Sequence, residues 1–279
     1  MSAFYQAVHR WRNNPIVLKE LRGRMRGRRA FVVLSIYLSV MAGLVVLVYT
    51  SLYYSTGALS NPNMADAGKT IFSMVLVVQG FLVFFIGPIF TTGAITGEKE
   101  RQTYELLRTT LLSAPALLLG KLASGLAYIL LLIIASIPMQ SIAFLLGGIS
   151  FTDLALTQAV ILTCALTYAM LGLYCSTITR GTISATVITL SAVLLSLIGL
   201  PLLFILADIF NFPYYRLLPH NGDLLMASAN VIGSLANIMS GHAIFGSLLP
   251  TALFMGLYGG LTLILFALAL RRLRRTADR

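Results

Sequence analysis

The chain has 279 residues, of which 58% are hydrophobic and only 10% are charged, and its formal net charge is +11. Because so little polar surface cannot cover a water-soluble globule of this size, the composition excludes an ordinary soluble enzyme or binding domain and indicates a membrane protein. Basic residues that flank membrane helices are explained by topology and anionic lipids, so we expect no nucleic-acid partner.

Residues 1–29 combine an apolar stripe with many basic side chains. Apolar residues recur there at spacings of three and four, and basic residues occupy the other faces. The pattern predicts an amphipathic interfacial or connecting helix on the inner leaflet. The alternative is a solvated basic tail. The residues that define the predicted helix are Trp11, Pro15, Leu18, Lys19, Glu20 and Leu21.

Six charge-poor segments are long enough to cross a hydrocarbon core of roughly 30 Å, which takes about 20 helical residues. They predict an all-α fold, a single transmembrane domain with spans at residues 30–54, 70–96, 122–148, 154–178, 183–207 and 248–270. We interpret residues 208–247 as an outer loop with short re-entrant helices, and a seventh span as the alternative.

The distribution of basic residues predicts the orientation of these spans. With six crossings, all but two of the 20 Lys and Arg residues fall on the side of both termini, the exceptions being Lys69 and Arg216. That side is therefore predicted to be cytoplasmic, including a basic tail at residues 271–279.

A polar segment, residues 97–121, separates the second and third predicted spans. We expect a helix from Glu98 to Arg108 that continues the second span, a break, and a second helix with Ser113 as its cap and Pro115 in its first turn. Apolar residues near the tip indicate a docking surface, and the alternative is a solvated connection. The candidate docking residues are Glu98, Glu100, Thr103, Tyr104, Glu105, Leu106, Leu107, Leu111, Leu112 and Ser113.

Other polar and small residues lie inside the predicted spans. Gln79, Gln140 and Gln158 are candidates for lining a translocation path, and plain hydrogen bonds between helices are the alternative. The glycine pairs 93/97 and 256/260 are spaced for close helix contact. The pattern offers no nucleophile with a base and no set of metal ligands, so we expect no catalytic residue, no metal and no cofactor bound by this chain.

The polar segment resembles the signature loop of the ABC-2-type permeases, the membrane subunits of type-2 ATP-binding-cassette exporters. The resemblance rests on Glu98, Glu100, Thr103, Glu105, Leu106, Ser113, Gly120 and Lys121. Residues 14–22 likewise resemble the connecting helix of that family. Two departures are Gln102, where glycine is frequent, and Thr110, where proline is frequent.

The resemblance implies a permease subunit whose loop docks into a groove of a separate cytosolic ATPase, which would bind the ATP and Mg²⁺. It also implies a second permease copy or paralogue and a place in the cytoplasmic membrane of a bacterium or archaeon, where the basic residues are expected to contact anionic lipids. An ion-gradient-driven secondary transporter and a non-transporting scaffold or assembly factor are the alternatives. The sequence shows no clear internal repeat or midplane charge of the kind secondary transporters carry.

Overall fold

The computed structural model describes residues 28–55, 64–102, 114–210, 228–240 and 248–277, and the regular secondary structure in these ranges is entirely helical. The elements are α1 Arg28–Ser55, α2 Met64–Glu100, α3 Ala114–Leu145, α4 Phe151–Ile178, α5 Thr182–Leu194, a π-helical turn Leu195–Gly199, α6 Leu200–Ile209, α7 Val231–Met239 and α8 Leu249–Ala277. In this part of the chain, 6 helical spans are long and apolar enough to cross a membrane. The predicted all-α fold with six spans is confirmed.

Helix α2 is longer than the second span predicted from the sequence. It contains 37 residues, which corresponds to about 55 Å of helix, against a hydrocarbon core of roughly 30 Å. Both of its ends are charged, with Asp66 and Lys69 near the start and residues 98–100 at the finish. Both ends therefore project beyond the apolar part of the bilayer.

Helix α3 begins earlier than the third predicted span. It starts at Ala114, carries Pro115 in its first turn, where a missing N–H does no harm, and continues without interruption through Lys121 to Leu145. The predicted second helix of the polar segment is therefore the beginning of the third span and is not a separate element.

Three helices that follow one another in the sequence form the centre of the bundle. In α2, α3 and α4, 50%, 61% and 50% of the most apolar window is buried. The corresponding values are 22% for α1, 12% for the span that begins with α5, and 22% for α8. The outer three spans therefore present most of their apolar surface to the surroundings of the chain.

The backbones of α2 and α4 approach closely at Gly172. A methyl group at this position would collide with the side chain of Thr91 and would lie 3.0 Å from the carbonyl oxygen of Pro88. Of the glycine pairs noted in the sequence, Gly93 lies near α5, with 3.6 Å between such a methyl group and the side chain of Thr182, whereas Gly97, Gly256 and Gly260 have no atoms of the described structure within 4 Å. Close helix contact at those pairs stays a prediction.

The short helix α7 precedes the last span. Its 9 residues are too few to cross a bilayer, which takes about 20. It packs against α4 and α8 and buries Val231, Leu235 and Ile238. The structure thus has one short helix in the stretch where short re-entrant helices were predicted, and residues 211–227 and 241–247 of that stretch lie outside the described part.

Candidate functional site

The C-terminal end of α2 carries three consecutive charged residues, Glu98, Lys99 and Glu100, which we call the charged end. Successive positions of an α-helix point in directions about 100° apart, because a turn takes 3.6 residues. Three neighbouring side chains can therefore reach three different partners. In this structure each of them contacts a different helix.

Glu98 binds α3. The ammonium group of Lys121 donates a hydrogen bond to Glu98 Oε1 at 3.3 Å, and the side chains of Lys121 and Glu98 are 8% and 29% exposed. Water screens this pair much less than it screens a pair on an open surface. Glu98, a candidate docking residue in the sequence, thus forms a contact within the chain.

Lys99 binds the end of α4. Its Nζ donates to the carbonyl oxygens of Ser176, Thr177 and Thr179 at 3.1, 2.9 and 2.9 Å. The last carbonyl groups of a helix lack donors within the helix and form the negative end of its dipole, so an ammonium group there is stabilising. Burial, and then the positive charge of Arg272 near the end of α8, lower the pKa of Lys99.

Glu100 binds the beginning of α5. Its Oε1 accepts a hydrogen bond from the backbone N–H of Thr182 at 2.6 Å, and the cap residue of α5, Gly181, has no side chain that could do so. A carboxylate is favourable at the positive end of a helix dipole. Hydrogen bonds from the backbone and the hydroxyl of Thr182 lower the pKa of Glu100. The contact is therefore fully present above the ordinary carboxyl pKa and is lost as the pH falls through the lowered one.

A row of polar side chains extends the contact between α2 and α5 toward the membrane. Thr92, Thr96 and Glu100 are four residues apart and so share one face of α2. The hydroxyl groups of Thr92 and Thr186 are 3.0 Å apart, and Thr182 Oγ1 donates to Thr96 Oγ1 at 3.1 Å. This face continues the attachment made by Glu100 for two helical turns.

The chain turns directly after the charged end. Helix α2 ends at Glu100, and Gln102 has a φ of 56°, a left-handed conformation that non-glycine residues rarely adopt. The backbone N–H of Gln102 reaches back to the carbonyl oxygen of Lys99 at 3.2 Å, which is typical of a helix end. The predicted uninterrupted helix from Glu98 to Arg108 is therefore wrong. The glycine frequent at this position in the permease signature suits the same conformation.

Much of the predicted docking tip lies outside the described residues. This applies to Thr103, Tyr104, Glu105, Leu106, Leu107, Leu111, Leu112 and Ser113. It also applies to the predicted interfacial helix with Trp11, Pro15, Leu18, Lys19, Glu20 and Leu21. The structure does show where this tip is attached, since α2 and α3 lead into and out of residues 103–113.

The three glutamines come together in the middle of the bundle, on α2, α3 and α4. Gln79 donates to Gln158 at 3.0 Å, Gln140 donates to Gln79, and Gln158 donates to Gln140, so the amides form a closed ring of hydrogen bonds. Gln79 and Gln140 are fully buried. The alternative of hydrogen bonds between helices is thus realised in this amide ring, and its role in a translocation path stays a prediction.

Several residues of the site were missed in the sequence. Lys99 stood within the polar segment without an assigned role, and Ser176 accepts hydrogen bonds from two backbone N–H groups of α2, those of Ile95 and Thr96, at 3.0 and 2.9 Å. The available signal was the four-residue spacing of the threonines and Glu100. Within the described ranges, no group of three or more His, Cys, Asp or Glu side chains could hold a metal ion.

Comparison with known families and proteins gives one informative result. A family model described as ABC-2 family transporter protein matches residues 14–277. No curated protein matches the chain. The matched range includes every helix described above.

Proposed function

The chain belongs to the ABC-2 family of transporter proteins, and on that premise we propose that it is the membrane-spanning permease subunit of an ATP-binding-cassette exporter. Six membrane-crossing helices make it an integral membrane protein of a transport system. In this proposal the chain forms the translocation path, and a separate cytosolic ATPase subunit binds ATP and Mg²⁺ and hydrolyses the ATP.

The charged end of α2 carries the coupling part of the proposal. It lies directly before residues 103–113, and it is attached to α3 by Glu98, to α4 by Lys99 and to α5 by Glu100. A displacement of residues 103–113 by a bound partner would therefore act on four spans at once. A merely solvated connection has no need of such attachments.

The apolar tip of the polar segment is the proposed ATPase contact. Glu105, Leu106, Leu107, Leu111 and Leu112 would fill a groove of the ATPase. The burial of one leucine contributes roughly 1.5–3 kcal/mol, which exceeds the roughly 0–1 kcal/mol of an exposed ion pair. The leucines should therefore dominate the affinity.

The outer spans supply the surface for a second permease. Exposed apolar side chains on α1, α5 and α8 include Ile36, Ile183 and Leu263, and a second copy or a paralogue would cover part of this surface. The basic residues are proposed to face the cytoplasm and its anionic lipids, in the cytoplasmic membrane of a bacterium or archaeon.

The decisive experiment is co-purification of the ATPase with the double variant Leu107→Asp/Leu111→Asp. Two carboxylates in an apolar groove should abolish the contact, so the variant should insert normally but lose both its ATPase and nucleotide-driven transport into vesicles. The matched control, Leu107→Met/Leu111→Met, keeps the apolar surface and should retain both.

A second variant separates docking from transmission. Glu100→Gln weakens the attachment to α5 without altering the tip, so it should retain the ATPase but reduce transport per ATP hydrolysed. The exposed neighbour Arg101→Gln serves as the control. If the aspartate double variant still binds an ATPase and transports normally, the coupling assignment is wrong. Gradient-driven transport without an ATPase would favour a secondary transporter, and no transport at all would favour a scaffold.

A further inference from the structure

The fifth span is interrupted by the π-helical turn Leu195–Gly199, which we call the hinge turn. The sequence explains the interruption, because Pro201 has no N–H to donate. That N–H would serve the carbonyl of Leu197 in an α-helix and the carbonyl of Ser196 in a π-helix. A carbonyl group of this turn therefore needs another donor in an apolar surrounding.

Asn230 provides that donor from another element. Its side-chain Nδ2 donates to the carbonyl oxygens of Ser196 and Leu197 at 3.1 and 3.3 Å. Its Oδ1 accepts from the backbone N–H of Ile232 at 2.7 Å and so caps α7. Asn230 is only 5% exposed. One buried amide thus fastens the hinge turn to the start of α7.

The hydroxyl of Ser196 fastens the same turn to two further helices. It lies 3.0 Å from the hydroxyl of Tyr168 on α4 and 3.0 Å from that of Tyr258 on α8. Tyr258 also donates to the carbonyl oxygen of Ala229 at 3.3 Å. Both tyrosines are buried. Hydroxyl groups of three spans therefore converge on the hinge turn.

The two halves of the fifth span are held very differently. Helix α5 packs against α2 and α4, whereas α6 makes extensive contact, among the described elements, only with the hinge turn. At its other end α5 is attached to Glu100 through Thr182. Within the described part of the chain, the direction of α6 is therefore set by the hinge turn and by the side chains that hold it.

We propose that Tyr168, Ser196, Asn230 and Tyr258 form a latch that fixes the direction of α6 relative to α5, and that its release lets α6 swing while α5 stays with the core. The four are positioning residues for transport, so this inference rests on the proposed function. A π-helical turn is a frequent site of functional bending in helices. The attachment of α5 to the charged end links the latch to the cytoplasmic side through about 20 Å of helix.

The test measures the position of α6 relative to α4 in the full chain, reconstituted in lipid nanodiscs without any ATPase. Spin labels at Phe151 and Leu203, which are 71% and 60% exposed, report the distance between the start of α4 and the middle of α6. The two native cysteines, Cys164 and Cys175, are buried and stay in place in all samples, because the thiol of Cys164 contacts the hydroxyl of Tyr168. The unaltered latch should give one narrow distance distribution.

Ser196→Ala removes both tyrosine contacts and should raise the share of a second distance by roughly two- to tenfold per hydrogen bond lost. Asn230→Ser keeps a cap for α7 but loses the donor to the hinge turn, and should act in the same direction. Ser191→Ala, at an exposed position of the same span, is the matched control and should leave the distribution unchanged.

Two outcomes would overturn the latch. One is a distribution that stays native in Ser196→Ala and Asn230→Ser, and the other is an equal change in the Ser191→Ala control. If Ser196→Ala does not fold, Tyr168→Phe and Tyr258→Phe remove single hydroxyl groups with the rings retained and decide the matter. Because no ATPase is present, these results stand apart from the co-purification test, which alone can overturn the proposed function.

Discussion

Helix α2 carries two polar clusters that attach it to neighbouring helices through different chemistry. The amide ring, Gln79 with Gln140 and Gln158, joins α2 to α3 and α4 in the middle of the bundle. The charged end joins α2 to the same two helices and also to α5. The amide ring is neutral, and its three side chains satisfy one another's hydrogen bonds. The charged end is ionic and pairs with helix ends.

Depth in the membrane explains the difference. A full charge at the bilayer centre costs about 2.5–3.5 kcal/mol even by the more lenient scales, so a cluster there must consist of neutral donors and acceptors. At the membrane edge, charges stay hydrated in part and can bind helix termini, whose partial charges lie only at the ends. The neutral amide ring is therefore suited to a rigid attachment in the core, and the charged end is suited to an adjustable attachment at the membrane edge.

The largest expected effect comes from placing a charge in the amide ring. Gln140→Glu should lower the stability of the protein by about 3 kcal/mol at neutral pH, because an ionised carboxylate would be buried without a cation. Protonation makes this carboxyl neutral, so stability should recover as the pH falls. Thermal unfolding in detergent at several pH values measures this.

The reverse exchange at the charged end is the control for that experiment. Glu98→Gln removes a charge at the membrane edge and should change stability much less than Gln140→Glu does. A loss in Gln140→Glu that is the same in acid and at neutral pH would contradict the explanation by depth.

The second effect concerns the close approach of α2 and α4 at Gly172. Gly172→Ala should force α2 and α4 apart at Thr91 and lower stability by about 2 kcal/mol, as overpacking typically does. Gly256→Ala, in the open part of α8, should have almost no effect. Equal unfolding temperatures for the two variants would show that the close approach at Gly172 is unimportant.

The third effect isolates the ion pair of the charged end. Lys121→Met should cost about 1 kcal/mol, because Glu98 would lose its partner while keeping some contact with water. A double-mutant cycle with Glu98→Gln should give a favourable coupling energy, and raised salt should reduce it only a little. A coupling energy of zero would mean that the pair contributes nothing.

The smallest effect is a gain. Gln102→Gly should raise stability by about 0.5–1 kcal/mol, because glycine adopts the left-handed backbone of this turn without strain. Arg101→Gly, at the neighbouring position, should lower stability or leave it unchanged. A higher unfolding midpoint for Gln102→Gly than for Arg101→Gly would support the charged end as a defined helix terminus.

The spans were predictable from the sequence because hydropathy depends on each residue's own chemistry. The three glutamines were recognisable for the same reason, since a polar group in an apolar span needs a partner. Their meeting in one ring depends on the rotation of three helices about their axes, which composition does not determine.

The contacts of the charged end were beyond prediction for a related reason. Lys99 binds the carbonyl groups of Ser176, Thr177 and Thr179. A charged helix end is expected to be exposed to water when the positions of its neighbouring helices are unknown. The hinge turn was missed because Pro201 lies in an otherwise unbroken apolar run, in which a proline alone does not show whether the helix bends, breaks or continues.

The order of burial along the chain has a consequence for synthesis. The most buried spans, α2, α3 and α4, are neighbours in sequence, so their mutual contacts are local and can form as soon as Ile178 has entered the membrane. Helix α1 has left the ribosome before this point, and the helices after α4 add to the three-helix nucleus as they are made. This arrangement favours assembly in the order of translation. It also shortens the time during which the glutamine amides have no hydrogen-bond partner in the lipid.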